Sequence, residues 1–246
     1  MSLSALDRYR FDLSGFLLLE DVLSPAQMSA VRAAIAEHGI DPPGTEVMEQ
    51  RFGYHSDLLG WHQVFRDLID HPAVVEVLAD LIGPYARLDH VYGIAMRAGT
   101  AGLGLHGPAV PFDASQYYLR RGGRSWNGLL SFSWALTTAG PGEGGFGCIP
   151  GSHRTDEHLP AGAEALMVEV PQRAGSLLVF TEALVHCTIP WNGAADRLAL
   201  LYKYSPGSSA WSASPPVPPE VRSVLTPRQC RLVEPPYVGG REPSFD

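Results

Sequence analysis

Thr181-Glu182-Ala183-Leu184-Val185-His186-Cys187-Thr188, followed by Arg197, is the stretch that decides how this chain folds and what it binds. The runs on either side, 176–180 and 197–204, are β-prone, so these residues belong to consecutive strands. They bring together a histidine, a hydroxyl two residues later and an arginine eleven residues later. An enzyme working with Fe(II) and 2-oxoglutarate needs these three groups at once. A neutral imidazole holds the metal, while an arginine fork and a hydroxyl take the far carboxylate of the oxo-acid. Any strand pair carries such spacing by chance, so the weight comes from a second histidine. His106 lies upstream in the glycine-rich run Gly102-Leu103-Gly104-Leu105-His106-Gly107-Pro108. Two residues on stands Pro108, whose side chain has no donor atom.

Working outward, residues 88–96, 128–137 and 166–170 are further β-prone runs bounded by Gly, Pro and Asp. Upstream, Phe16-Leu17-Leu18-Leu19 reads as a short buried strand. Ser24-Pro25-Ala26-Gln27 opens a helix with the elements of a capping box, Met28, Val31 and Ile35 follow at helical spacing, and Gly39 stops it. A second helix starts at Pro72 and buries Val74, Val75, Leu78, Leu81 and Ile82 before Gly83. Residues 40–60 read as a long loop of the kind that carries function. Helices followed by many short strands predict a mainly β chain, a barrel or sandwich with helices packed against one sheet. No repeat or composition shift divides it. One domain spanning residues 1–246 is expected. It comprises a helical N-terminal region (1–86), a strand-built core (87–205) and a proline-rich extension (206–246) carrying a short helix after Pro219.

Composition narrows the functional classes. With 45% hydrophobic and 18% charged residues the chain is a globular protein with a substantial core. A formal net charge of −8 leaves no basic footprint for nucleic acid. Cys148, Cys187 and Cys230 show no CxxC spacing, which suits reduced thiols in the cytoplasm. The N-terminus has no basic region followed by an apolar run, so no signal peptide is expected, and no stretch reaches the roughly 20 apolar residues of a membrane span. A small-molecule partner remains.

Three further stretches carry a family resemblance. Phe11-x3-Gly15-Phe16-Leu17-x-Leu19-Glu20-Asp21-Val22-Leu23-Ser24-Pro25 resembles the opening of the phytanoyl-CoA dioxygenase family. Gly144-Gly145-x-x-Cys148-Ile149-Pro150-Gly151-Ser152-His153-Arg154 resembles its central hairpin. Gly175 to Phe180, leading to His186, Thr188 and Arg197, resembles its closing strands. The resemblance implies a double-stranded β-helix, the jelly-roll or cupin-like core, and an oxidoreductase that binds Fe(II), 2-oxoglutarate and O2. It implies His106 and His186 as iron ligands and catalytic residues, Arg197 with Thr188 as the 2-oxoglutarate clamp, and a turn or supporting role for His153. His90 reads as a satisfied core histidine.

Pro108 departs from the family's His-x-Asp, and three explanations compete. Asp113 binds instead; Glu182, four residues before His186, supplies the carboxylate or acts on substrate; or an exogenous anion fills the open position. Related halogenases have a small non-ligating residue there and bind chloride, which preserves the local charge. The favoured expectation is therefore oxidative C–H functionalisation of a small anionic metabolite in biosynthesis, with chlorination as the outcome. A hydroxylase using Asp113 or Glu182 is the alternative, as is a non-catalytic binding relative. Arg120, Arg121 and Arg124 form the densest basic cluster and read as a lid over an anionic substrate, with Trp126 and Asn127 lining its pocket.

Overall fold

The chain is described from a computed structural model over residues 3–41, 49–54, 56–108, 113–155, 157–213 and 215–245. Ser4 caps the first helix by accepting from the Asp7 amide, and Gly15 ends it in the left-handed conformation with φ 81°. This helix, α1 (Ala5–Ser14), leads into β1 (Phe16–Leu19). Helix α2 (Pro25–His38) follows, with the expected capping box between Ser24 and Gln27 and a stop at Gly39. Then come β2 (Gln50–Phe52), α3 (Ser56–Trp61), α4 (Gln63–Asp67) and α5 (Pro72–Leu81).

The remaining strands are β3 (Ala86–Met96), β4 (Leu103–His106), β5 (Tyr118–Arg121), β6 (Arg124–Asn127), β7 (Leu130–Ala135) and β8 (Gly145–Cys148). After them come β9 (Val168–Glu169), β10 (Leu177–Thr181), β11 (His186–Ile189) and β12 (Arg197–Pro206). Two short helices, α6 (Pro219–Arg222) and α7 (Pro227–Leu232), close the chain. No helix among the described residues is long and apolar enough to cross a membrane.

The strands form a six-stranded sheet, β1-β10-β7-β12-β3-β2, and a four-stranded sheet, β4-β11-β8-β9, each antiparallel. This is the jelly-roll core that the sequence leads one to expect. The period of two sorts each strand of the large sheet into two jobs. On β12, Leu200, Tyr202 and Tyr204 join the core cluster that the helices cover, where Phe65, Leu58 and Leu78 meet Phe132 and Trp134. The phenols of Tyr202 and Tyr204 donate to the carbonyls of Phe65 (2.8 Å) and Ile69 (2.7 Å), which pins the helical layer to the sheet. Alternate residues, Arg197, Leu201 and Lys203, turn the other way and line a cavity between the sheets. Both faces are covered, so these strands read as continuous buried runs.

Residues 1–86 open with a helix, α1, in keeping with a helical N-terminal region, though the sequence pattern does not announce it. Two expectations needed revision. Residues 40–60 hold β2 and α3; Phe52 is buried and stacks on Trp61 at 6.0 Å, a tertiary contact invisible to local pattern. Within that span residues 42–48 and 55 lie outside the described residues. The strand expected at 166–170 shrinks to Val168–Glu169 because Ala163–Leu166 winds into a single tight helical turn.

Candidate functional site

His106 and His186 stand directly opposite each other on β4 and β11, with ring centroids 4.2 Å apart. The pairing skips a residue between His186 and Thr188, whose partners are His106 and Leu103, so β4 bulges beside the site. Gly102 permits that approach: its φ is 75°, and a Cβ there would lie 2.1 Å from the Thr188 carbonyl oxygen. Each imidazole places Nδ1 on the carbonyl two residues before it, Gly104 at 2.9 Å and Leu184 at 2.7 Å. A carbonyl only accepts, so Nδ1 carries the proton and Nε2 keeps its lone pair. That arrangement fixes the tautomer and ring orientation of metal-binding histidines. Burial pushes His186 down to about 4, against the pull of the Glu182 charge, so its ring stays neutral at physiological pH.

Glu182 closes one side of this pair. It follows the end of β10, and its Oε2 lies 3.9 Å from His186 Nε2. Its Oε1 accepts from Lys203 Nζ at 2.8 Å and from the Ser131 hydroxyl. Burial alone would raise this carboxyl, yet the ammonium of Lys203 brings it down to about 2. Burial likewise works against the Lys203 charge, and Glu182 outweighs it, so the ammonium is held above its ordinary range. Lys203 pairs across the sheet with His90 and Ser131, and His90 stacks between Tyr92 (5.8 Å) and Trp211 (5.4 Å).

The other side holds a buried arginine. Arg197 is 6% exposed, and its Nη1 contacts Met96 Sδ at 3.4 Å. No carboxylate among the described residues reaches ion-pair distance of it, and burial lowers its pKa against the opposing field of Glu49. The Thr188 hydroxyl donates to Glu49, whose other oxygen takes Arg51 Nε (3.1 Å) and Nη2 (2.9 Å). Glu49 thus lies on the very hydroxyl expected to hold the co-substrate carboxylate.

These groups line one cavity of about 310 Å³. Five of the residues singled out in the sequence meet there: His106, His186, Thr188, Arg197 and Glu182. The others do not. Arg120 pairs with Asp12 at 2.8 Å on α1, Arg121 and Arg124 are exposed on the β5–β6 hairpin, and Trp126 is 48% exposed. Asn127 is buried against α5, its side-chain amide donating to the Leu81 carbonyl. Neither the three arginines read as a lid nor Trp126 and Asn127, read as pocket-lining, line the cavity that holds the two histidines. Asp113 spends its Oδ1 on the amides of Ser115 and Gln116 and the Ser115 hydroxyl, in a turn outside the cavity wall. Residues 109–112, which precede it, lie outside the described residues. His153 is buried in the turn after β8, with Nε2 on the Asp12 carbonyl, the supporting position expected of it. His90 is buried as expected but also faces the cavity.

Sequence reasoning missed Glu49, Arg51, Tyr92, Lys203 and Trp211. For Lys203 a signal existed, since the alternation from Arg197 through Leu201 continues to it. Imidazole and carboxylate donors suit a first-row divalent metal, so the residues present fit iron. No three His, Cys, Asp or Glu side chains among the described residues are already gathered into a metal-holding group.

A model of the family described as phytanoyl-CoA dioxygenase (PhyH) matches residues 11–199. No curated protein matches the chain by sequence. Among solved structures, HygX from Streptomyces hygroscopicus with nickel and 2-oxoglutarate bound is similar, with 24% identity, a TM-score of 0.71, and coverage of 83% of this chain and 88% of that one. SnoK, a non-heme alpha ketoglutarate dependent carbocyclase from nogalamycin biosynthesis, has 19% identity and a TM-score of 0.66 over 98% of this chain and 96% of its own. SnoN, an epimerase of the same biosynthesis, reaches 20% and 0.62 over 82% of each chain. These likenesses show a shared fold.

Proposed function

The chain belongs to the phytanoyl-CoA dioxygenase family, a family of Fe(II)/2-oxoglutarate-dependent oxygenases, and from that premise we propose that it oxidises a C–H bond of a small polar metabolite. One observation carries the reading: two imidazoles, each with Nδ1 on a backbone carbonyl, line a cavity that also holds a buried arginine with no carboxylate partner among the described residues. When bound, Fe(II) and 2-oxoglutarate supply the activation of O2 that no side chain provides. His106 and His186 would hold the metal. The Arg197 fork and Thr188 would hold the distal carboxylate of the oxo-acid, once Glu49 yields the hydroxyl. Phe180 and Phe146, whose rings lie 4.8 Å and 6.0 Å from His186, shield that imidazole from water. A binding relative without chemistry would gain nothing from burying Arg197 at this cost. The anionic substrate expected from Arg120, Arg121 and Arg124 loses its basis, because those residues lie outside the cavity.

The test is an anaerobic titration of 2-oxoglutarate into the Fe(II) protein. A weak visible metal-to-ligand band is expected, and Arg197→Leu should abolish it at ordinary concentrations. An unchanged affinity in that variant would overturn the assignment.

Chlorination stands as a second reading, favoured by Pro108, which has no donor atom to give. Turnover with and without chloride or bromide separates it from hydroxylation: a halogenated product supports it, and halide-independent hydroxylation refutes it.

A further inference from the structure

We infer that Glu182 is the third metal ligand, replacing from the β10–β11 turn the carboxylate that Pro108 cannot provide at the end of β4. This rests on the iron site proposed above and concerns which side chain completes it. The two oxygens of Glu182 are differently employed. Oε1 is saturated by the Lys203 ammonium and the Ser131 hydroxyl. Oε2 accepts no hydrogen bond from the described residues and faces the cavity, 3.9 Å from the Nε2 lone pair of His186. A carboxylate oxygen that faces a cavity beside an imidazole and is not held by a protein donor is placed to take a divalent cation.

Two donors on one octahedral ion, with bonds of about 2.1 Å at a right angle, stand about 3 Å apart. The 3.9 Å separation is within a small side-chain adjustment of that value. The backbone leaves little else to adjust. The Glu182 amide donates to the Leu129 carbonyl at 3.0 Å, and the Leu184 amide to the Thr181 carbonyl at 2.9 Å. Carboxylate and imidazole therefore leave one rigid turn, four residues apart.

The competing carboxylates are engaged elsewhere, Asp113 in its own turn and Glu49 on Arg51 and Thr188. Lys203 and Ser131 become positioning residues, holding one oxygen so that the other is presented, as partners of metal-bound carboxylates do. With this charge supplied by the protein, a halide would have no vacant position to fill, so this assignment favours hydroxylation over the second reading.

Co(II) serves as the probe, its affinity measured by calorimetry and its coordination by visible absorption. The variants compared with the parent are Glu182→Gln, Glu182→Ala/Lys203→Met, which removes both members of the buried pair, and the latter with Pro108→Asp. Loss of a ligand should weaken Co(II) by more than the roughly 10- to 100-fold typical of outer-shell changes. Pro108→Asp should restore much of that loss and return the spectrum towards the parent's. The inference is overturned if Glu182→Gln and Glu182→Ala/Lys203→Met both bind Co(II) as the parent does, or if chloride shifts the parent's spectrum. Should His186→Ala also bind like the parent, the iron site itself is wrong, which is a distinct failure.

Discussion

Lys203→Met tests the electrostatics on which this site depends, without metal or substrate. The side chains of Lys203 and Glu182 are 9% and 5% exposed, and they meet at 2.8 Å. Methionine fills a similar volume but leaves Glu182 buried without its counter-charge, a change that costs about 3–5 kcal/mol in comparable pairs. The pH dependence gives the sharper signature. In the parent the Glu182 carboxyl is held at about 2 against an ordinary 4.5. A depressed carboxyl stabilises the fold above its unfolded pKa, and that contribution, about 3 kcal/mol, is lost as pH falls from 4.5 towards 2. Without Lys203, burial dominates and the carboxyl rises above 4.5, so the variant gains from protonating it as pH falls. The stability difference between parent and Lys203→Met should therefore be largest near neutrality and shrink with acidification. Urea unfolding of both proteins at a series of pH values measures it. A difference below about 1 kcal/mol, the scale of an exposed pair, or one that does not change with pH, would refute the reasoning.

Three further outcomes are expected. His153, pushed down to about 4 by burial, binds its proton in the unfolded chain first; its contribution is complete above pH 6.5 and lost as pH falls from 6.5 to 4. His153→Gln should flatten that window by up to about 3 kcal/mol in acid unfolding curves, and an unchanged slope would exclude His153 as its source. Glu49→Gln should tighten 2-oxoglutarate binding by about tenfold, since it removes the charge that occupies Thr188 and opposes a second anion; weaker binding in calorimetry would show that Glu49 serves the site instead. Arg120→Ala, made far from the cavity, should leave 2-oxoglutarate consumption unchanged, and a fall in its rate would reinstate the hairpin as a lid.

The fold was legible because its decisive signals are local. Ser24 and Gln27 cap a helix within their own turn, and the central strands of the large sheet read as long β-prone runs because they are buried on both faces. That His186, Thr188 and Arg197 meet in one cavity was legible for a related reason, as they lie on neighbouring strands at short spacing. What escaped comes from pairing between distant segments. Glu49 and Arg51 reach the site only because β2 adds to the edge of β3, and Trp211 because the extension after β12 folds back over His90. The basic hairpin misled for the opposite reason: a dense run of arginines is conspicuous in sequence, but its place is set by contact with Asp12 on α1.

The position of Glu182 shows why a missing motif residue need not mean a missing function. A metal site requires donors of suitable charge converging on one volume; it does not require that they come from one strand. In this jelly roll the end of β4 and the β10–β11 turn border the same cavity, so a carboxylate enters equally well from either. The choice alters the surroundings. A ligand at position 108 would sit on the exposed rim beside His106, whereas Glu182 is buried and tied to Lys203 on the large sheet. The ligand is thereby coupled to the inner face of β12, which carries Arg197 at its start and Lys203 six residues later. On this assignment one strand would govern both ends of the site, anchoring the co-substrate at one and orienting the metal's carboxylate at the other. Perturbations of β12 should accordingly affect metal and 2-oxoglutarate binding together, a coupling that a site built on His-x-Asp would lack.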